Sequence, residues 1–267
     1  MCYAALLLTA WHTTAHSEDS GIVEDLVERL HDSDFVFPRA QSNAPMFPLA
    51  SIGVTAYTDS EVKNPDGAAL EYDINRTTQT AFLPIQMSRR DALIVGNYLS
   101  SSDFSVQNDN GDSFKVVSIG LPVGWFRQAN EEWQVAGFVM PLAHKSSENG
   151  SDWNWQYLGG AFSRYEQNEH LWWAFGFYFD IAPGDNFYIP YVGASWTINE
   201  RWTISAIMPW PSVVYSPSRD WSMRFGASPS GASWSFAPEQ DEIAMNISTW
   251  DFGISLDRRV YKRLWFS

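Results

Sequence analysis

The residues best suited to chemistry form one polar run, His144-Lys145-Ser146-Ser147-Glu148. A serine hydroxyl becomes a useful nucleophile when a base such as histidine lies within hydrogen-bond distance of it. Runs of this composition are also common in solvated loops, and the sequence favours that interpretation. His31, His144 and His170 lack the mutual spacing of metal ligands. We therefore predict no enzyme activity, no catalytic residue, no metal and no cofactor.

A second polar run, Asp109-Asn110-Gly111-Asp112, offers oxygen ligands of the kind that calcium prefers. It lacks the regularly spaced carboxylates and the closing Glu of a calcium loop. Asn-Gly is also a strong signal for a β-hairpin turn. The run therefore predicts a turn and not a metal site.

Seven charged residues fall on the small, polar face of the strands described below: Arg76, Lys115, Arg164, Asp180, Arg224, Asp251 and Asp257. If those strands form a barrel, this face lines the lumen. The charges either line a pore and set its selectivity, or they pair with one another and fill a narrow interior. The sequence favours pairing.

Aromatic residues make up 16% of the chain, with 14 Trp, 11 Tyr and 17 Phe. Trp and Tyr each join an apolar ring to a polar atom, so a membrane interface suits them. Several strands begin with an aromatic residue directly after a tight turn. We expect an aromatic girdle near the periplasmic rim, formed by Trp133, Trp172, Trp202 and Trp221.

Period-two alternation from about residue 50 onward predicts strands. Over 171–180, Leu171, Phe175 and Phe177 share one face with other large apolar residues, and small or polar residues share the opposite face. We predict strands at 50–58, 71–86, 92–106, 113–127, 132–144, 154–165, 170–182, 187–198, 201–208, 212–217, 221–237 and 244–257, with a stub near 262.

Two all-β architectures fit these strands. A secreted β-sandwich would bury its apolar face against a second sheet and could bind glycans through exposed Trp. A transmembrane barrel would turn that face to lipid and would alternate tight turns with longer loops. Tight turns such as 168–170 and 199–201 do alternate with longer polar segments such as 145–153. The sequence therefore favours an antiparallel up-and-down transmembrane β-barrel of about 12–14 strands.

The chain before the strands divides into two parts. Residues 1–17 resemble a signal peptide without its basic start, with cleavage expected before Glu18. Residues 18–48 contain an amphipathic helix over 21–32 and a proline-rich linker. The barrel is predicted over 49–267, and its last strand looks incomplete because a turn at 258–262 leaves few residues after it.

The charge balance limits the partners. A net charge of −14 argues against nucleic acid, because phosphate binding needs a basic surface. The single cysteine, Cys2, lies in the signal-like segment, so neither a disulfide framework nor a cysteine metal site is expected.

One region resembles a known family. Residues 187–237 contain Thr197-Ile198-Asn199-Glu200-Arg201-Trp202, Pro209-Trp210-Pro211 and Gly231-Ala232-Ser233-Trp234. These look like a widespread bacterial outer-membrane β-barrel domain of unknown function. The resemblance implies a Gram-negative outer-membrane location and a porin-like barrel. It brings no substrate and no catalytic residue.

The resulting expectation is an outer-membrane barrel with a structural or passive-transport role. Its partners are outer-membrane lipid and the barrel-assembly machinery, and small solutes are candidates for passage. The alternatives are the glycan-binding sandwich and, less favoured, a barrel enzyme. Phe175 and Phe177 are expected to face lipid, so Phe177→Arg should impair assembly while Gly176→Ser should be mild.

Overall fold

The computed structural model describes residues 33–35, 42–44, 49–63, 69–106, 113–147, 152–182, 185–208, 210–236, 243–261 and 264–266. The predicted signal peptide, the predicted helix over 21–32 and the run Asp109–Asp112 lie outside these ranges. Among the described residues, no helix is long and apolar enough to cross a membrane.

The regular structure of the described residues consists of fourteen strands. They are β1 (Ala50–Lys63), β2 (Ala69–Gln86), β3 (Asp91–Val106), β4 (Phe114–Gly120), β5 (Val123–Gln128), β6 (Trp133–Ser146), β7 (Asn154–Asn168), β8 (Leu171–Ala182), β9 (Asp185–Asn199), β10 (Trp202–Ser205), β11 (Ser212–Ser218), β12 (Trp221–Phe236), β13 (Ile243–Tyr261) and β14 (Leu264–Phe266).

The strands form one antiparallel sheet in up-and-down order. This confirms the all-β, antiparallel, up-and-down prediction. In the described ladder, β1 pairs with β2 alone and β14 pairs with β13 alone, so the sheet is not closed as a barrel. The described strands make a single layer, whereas a sandwich consists of two sheets packed face to face.

The predicted strand over 113–127 is two strands, β4 and β5, which both lie between β3 and β6. The break falls at Leu121-Pro122, where proline has no N–H to donate to the ladder. The carbonyl of Pro122 still accepts a hydrogen bond from the Gly96 N–H at 2.8 Å. β4 and β5 therefore act as one interrupted strand.

Two predicted boundaries near the end of the chain are wrong. The strand predicted over 201–208 stops at Ser205, and the Trp210 N–H closes a turn onto the Ile207 carbonyl at 2.7 Å. β10 and β11 thus form a short hairpin between the longer strands β9 and β12. The turn predicted at 258–262 begins too early, because β13 continues to Tyr261.

The two faces of the sheet differ sharply in exposure. Gln128 and Gln156 are 2% and 3% exposed, whereas Phe177 and Ile254 on the opposite side are 51% and 67% exposed. We call these sides the inner face and the outer face. Because the described strands form one layer, the inner face is sheltered only if the sheet curls around it.

A long-range approach between strands confirms the curl. β12 stands five positions from β7 in the ladder, which would separate them by about 24 Å in a flat sheet. Cα atoms of β12 nevertheless lie within 8 Å of Cα atoms of β7 and also of β6.

The tight turns share one hydrogen-bond pattern. Asn130, Asn168 and Asn199 each accept, through Oδ1, bonds from the backbone N–H groups two and three residues later, at 2.8–3.1 Å. Ser88 Oγ makes the equivalent bonds in the β2–β3 turn. These are Asx and Ser turns, in which a short polar side chain satisfies the turn amides. All lie at one end of the sheet, the turn rim; we call the opposite end the loop rim.

Candidate functional site

A chain of four hydrogen-bonded side chains crosses the inner face near the loop rim. Ser118 Oγ lies 2.7 Å from His144 Nδ1, and His144 Nε2 lies 2.8 Å from Gln156 Oε1. Gln156 Nε2 donates to Asp180 Oδ1 at 2.6 Å. The four residues come from β4, β6, β7 and β8, which are neighbours in the sheet. We call this chain the relay.

The partners fix the direction of every bond in the relay. An ionised Asp180 carboxylate only accepts, so Gln156 turns its amide nitrogen toward it and its oxygen toward His144. That oxygen only accepts, so His144 carries its proton on Nε2. Nδ1 is then the acceptor of the Ser118 hydroxyl proton. In each of the three hydrogen bonds, the donor is the group farther from Asp180 along the relay.

The relay residues differ in exposure. His144 is 4% exposed and Gln156 is 3% exposed, whereas Ser118 is partly exposed. Asp180 is also partly exposed, so the buried pair lies between two partly exposed ends, of which Ser118 is one. Leu142 lies two residues before His144 in β6, and Val116 lies two residues before Ser118 in β4. Both side chains are buried and lie on the same face as the relay.

A second polar cluster lies on the inner face near the turn rim. Arg164 donates to Gln134 Oε1 at 2.7 Å and pairs with Glu166. Its guanidinium lies 5.5 Å from the centre of the Trp172 ring. Gln134 in turn donates to Gln128 Oε1 at 2.6 Å. The cluster gives a charge that is 9% exposed both a carboxylate and an amide oxygen as partners, which offsets part of the cost of burying it.

Aromatic side chains occupy the inner face between the two polar regions. The Tyr178 ring lies 6.5 Å from Phe138 and 6.2 Å from Trp210, and Trp210 lies 5.9 Å from Tyr191. The last two contacts are edge-to-face, a favourable geometry for aromatic pairs. Trp210 belongs to the segment between β10 and β11, so that short hairpin brings an indole into the group. This contact has no signal in the sequence, because Trp210 follows the predicted end of its strand.

The described part of the N-terminal linker contacts two turn-rim turns. The Asp34 carboxylate accepts bonds from Arg89 Nε at 3.0 Å and Arg90 Nε at 3.1 Å. The Asn43 N–H donates to the Glu200 carbonyl at 2.8 Å. Nine residue steps separate Asp34 from Asn43, so they span at most about 32 Å. The chain therefore links the β2–β3 and β9–β10 turns.

Hydrogen bonds from Arg90, which has the larger effect, and from Arg89 hold the pKa of the Asp34 carboxyl below its ordinary value. Asp34 lies before the first strand, and its two arginines lie in the β2–β3 turn.

The predicted lumen residues are placed individually by the structure. Arg76 and Asp257 are on the inner face, where Arg76 Nε donates to Ser102 Oγ at 3.1 Å and Asp257 accepts from Ser222 Oγ at 2.9 Å. Arg164 and Asp180 belong to the two clusters described above. The register puts Arg224 opposite Val214, which is buried on the inner face. The side chain of Asp251 lies outside the described part of the structure.

Lys115 is on the outer face, contrary to the prediction. Its neighbours Phe114 and Val116 are buried, so alternation turns Lys115 outward. There its Nζ lies 3.5 Å from Asp103 Oδ1, with both side chains about half exposed. The charge of Lys115 suggests the polar face, but strand register decides which face a side chain takes.

The four predicted girdle residues all lie at the turn rim, but they do not share one face. Trp133, Trp202 and Trp221 begin strands at the turn rim and lie on the outer face; Trp202 is 4.5 Å from the Tyr215 ring. Trp172 lies on the inner face against Arg164. β8 begins at Leu171, three residues after its turn asparagine, just as β6 and β10 begin at Trp133 and Trp202. Trp172 is the second residue of β8, so alternation turns it inward and Trp173 takes the outward position.

The sequence predicts that His144 ends the strand over 132–144, at the rim beside Ser146 and Ser147. The structure puts His144 within β6, and its serine partner comes from β4. The register pairs His144 directly with Ser118 across the β4–β6 ladder. No short-range pattern reveals this pairing, because the two residues are 26 positions apart.

In the part of the chain that the structure describes, no three His, Cys, Asp or Glu side chains are grouped so as to hold a metal ion. A scan against protein-family models found no match, and no curated protein matches the chain. The antiparallel all-strand sheet is compatible with a barrel-like fold. The comparisons add no support for an outer-membrane identity.

Proposed function

We propose that this chain is a β-barrel protein of a bacterial outer membrane, with its outer face against lipid and a structural or passive-transport role. The outer face carries the proposal. Phe177, Phe225 and Ile254 are each more than half exposed, and they stand in rows of apolar residues along β8, β12 and β13. Soluble proteins rarely expose continuous apolar surface on this scale.

The inner face supports a narrow passage. Its polar groups are largely hydrogen-bonded to one another, as in the Arg164 cluster and the relay. Aromatic rings lie between these two regions. Such an interior suits small solutes only. Lipid and the barrel-assembly machinery are the expected partners.

The open edges bear on the same proposal. In lipid, each unpaired edge N–H or C=O group costs several kcal/mol. The free edges of β1 and β14 therefore have to be paired in a membrane-embedded form. We expect the barrel to close there when the chain is in a bilayer.

The experiment is expression with an export signal in a Gram-negative host, followed by membrane fractionation. We expect the chain in the outer-membrane fraction, released only by detergent. Unheated samples should migrate differently from boiled ones on denaturing gels, because a folded barrel resists detergent unfolding. A folded protein released in detergent-free buffer would contradict the proposal and would favour the glycan-binding alternative.

Passive transport is tested separately, by solute efflux from vesicles that contain the purified chain. Uncharged sugars of increasing size define the width of the passage. We expect efflux of the smallest sugars alone. Release of large and small sugars at equal rates would contradict a narrow interior.

A further inference from the structure

We propose that Ser118 is a nucleophile that accepts acyl groups from short-chain carboxylic esters, with His144 as its base. The proposal goes beyond a structural or passive-transport role. It rests on the relay and not on the lipid-facing surface, so the two proposals can fail independently.

The geometry meets the requirements of an activated serine. The base lies 2.7 Å from the hydroxyl oxygen, and a third side chain holds the other ring nitrogen at 2.8 Å. A nucleophile, a base and an orienting group in this order define such a constellation, whatever the fold. Here Nδ1 faces the serine and Nε2 faces the orienting Gln156.

Asp180 completes the arrangement. It fixes the orientation of the Gln156 amide, and that amide in turn fixes the histidine tautomer in which Nδ1 is free of a proton. Gln156 and Asp180 are positioning residues, because they act through His144. When His144 takes up a proton, the Gln156 oxygen and the nearby carboxylate stabilise the imidazolium.

The reaction balances with water as the second reactant. Ser118 Oγ attacks the ester carbonyl carbon while its proton passes to His144 Nδ1. The carbon–oxygen bond to the alcohol breaks, and His144 returns the proton to the leaving alkoxide. Water then attacks the acyl-serine, giving its proton to His144, and the acid leaves as Ser118 recovers its proton. The sum is ester plus water to acid plus alcohol.

The surroundings limit the substrate to a short acyl group. The buried apolar side chains of Leu142 and Val116 lie two residues along their strands from His144 and Ser118, on the same face. The surface beside the reacting pair is therefore apolar. Of the two groups that react, His144 is buried and Ser118 is partly exposed, so the serine hydroxyl is the accessible one. A short apolar acyl chain therefore suits the site better than a charged or bulky one.

The first test uses the purified full-length chain in detergent and a fluorophosphonate probe, which reacts with activated serines. We expect one labelled serine, identified by mass spectrometry of the digested protein as Ser118. Ser118→Ala should abolish labelling. Ser100→Ala is the matched control, because Ser100 lies directly opposite Ser118 in the β3–β4 ladder, on the same inner face, but is itself buried.

The second test measures hydrolysis of p-nitrophenyl butyrate by the same preparations. His144→Ala should slow it by about 100-fold or more, the usual contribution of a general base. Gln156→Ala should lower kcat while leaving KM unchanged, because Gln156 does not touch the substrate. A circular-dichroism spectrum that matches the wild type confirms that each variant is folded.

Three outcomes would overturn the proposal. They are the absence of labelling in the folded wild-type chain, equal labelling of wild type and Ser118→Ala, and a Gln156→Ala effect confined to KM. The first would leave the relay as a purely structural network that fills the interior.

Discussion

The inner face at Gly176 has no room for a side chain. A Cβ built there would lie 2.4 Å from the Ala161 carbonyl oxygen and 2.6 Å from the Tyr191 ring. The sequence predicts that Gly176→Ser is mild, since serine is small and polar like other inner residues. The close approach of a neighbouring backbone, which is invisible in the sequence, reverses that expectation.

We therefore predict that Gly176→Ser destabilises the folded chain by about 1–3 kcal/mol, the usual cost of overpacking. Chemical denaturation in detergent, followed by tryptophan fluorescence, measures it. Gly253→Ser is the matched control, because a Cβ at Gly253 has no atom within 4 Å. Equal midpoints for the two variants would contradict the assigned packing.

A substitution at Phe177 tests whether the outer face contacts lipid. Phe177→Arg should impair membrane assembly by about 2–4 kcal/mol, the cost of a cation at the bilayer midplane of a barrel. The measurement is the folded fraction after refolding into lipid vesicles, read from gel mobility. Phe177→Leu, which keeps the surface apolar, should fold like the wild type; comparable loss in both variants would refute the lipid assignment.

Residue placement was predictable where alternation is unbroken and uncertain elsewhere. Phe175 and Phe177 lie on the exposed face, in line with the sequence pattern. Lys115 and Trp172 were misplaced because their residue types suggested one face while strand register selected the other. The relay was missed for a related reason: its members meet only through pairing between strands.

At the scale of elements, the Asn-Glu turns are the part of the fold that the sequence encodes most locally. In the β7–β8 turn, Asn168 Oδ1 accepts two backbone bonds at 2.9 Å. Asn168→Ala removes both, and we predict a loss of about 1–2 kcal/mol of unfolding free energy. Urea titration of the refolded protein measures this loss.

Asn168→Asp keeps the acceptor oxygen, so it should lose clearly less stability than the alanine variant. An aspartate variant as unstable as the alanine variant would show that the two hydrogen bonds do not hold the turn.

Strand existence was predictable, while strand ends were less so. Hydrophobic alternation locates most of the strands, but it runs through Pro122 and past Ser205, where the ladder breaks. At Pro122 the missing N–H is visible in the sequence. After Ser205 the chain turns, and Trp210 contacts Tyr178 and Tyr191 of other strands; these long-range contacts have no signal in the sequence.

At the scale of the whole molecule, the described part of the N-terminal linker contacts two separated turns. One of these contacts, between Asp34 and the arginines of the β2–β3 turn, depends on pH. Since the pKa of Asp34 is lowered in the folded chain, its pairing with Arg90 and Arg89 stabilises fully above the ordinary value of 3.8. That contribution is lost as the pH falls through the lowered pKa.

We predict that the Asp34 carboxyl titrates with a midpoint below 3.8, measured from its ¹³C chemical shift. Replacing Arg89 and Arg90 together by Gln should return the midpoint toward 3.8. An unchanged midpoint in the double variant would show that the two arginines do not hold the carboxylate.

The sequence cannot fix how the sheet curls, because curvature depends on the sum of many small twists between strands. It does fix the contrast between the faces, and the central claim depends on that contrast: the outer face contacts lipid while the inner face does not. Phe177 and Tyr178 are adjacent in β8 and lie on opposite faces.

The most direct test places a nitroxide at either position through a single cysteine, in a background where the native Cys2 is replaced by Ala. In lipid vesicles, the label at 177 should be relaxed by oxygen, which concentrates in the bilayer, and protected from a water-soluble nickel complex. The label at 178 should show lower oxygen accessibility. Strong relaxation of the label at 177 by the nickel complex would contradict the membrane-embedded barrel.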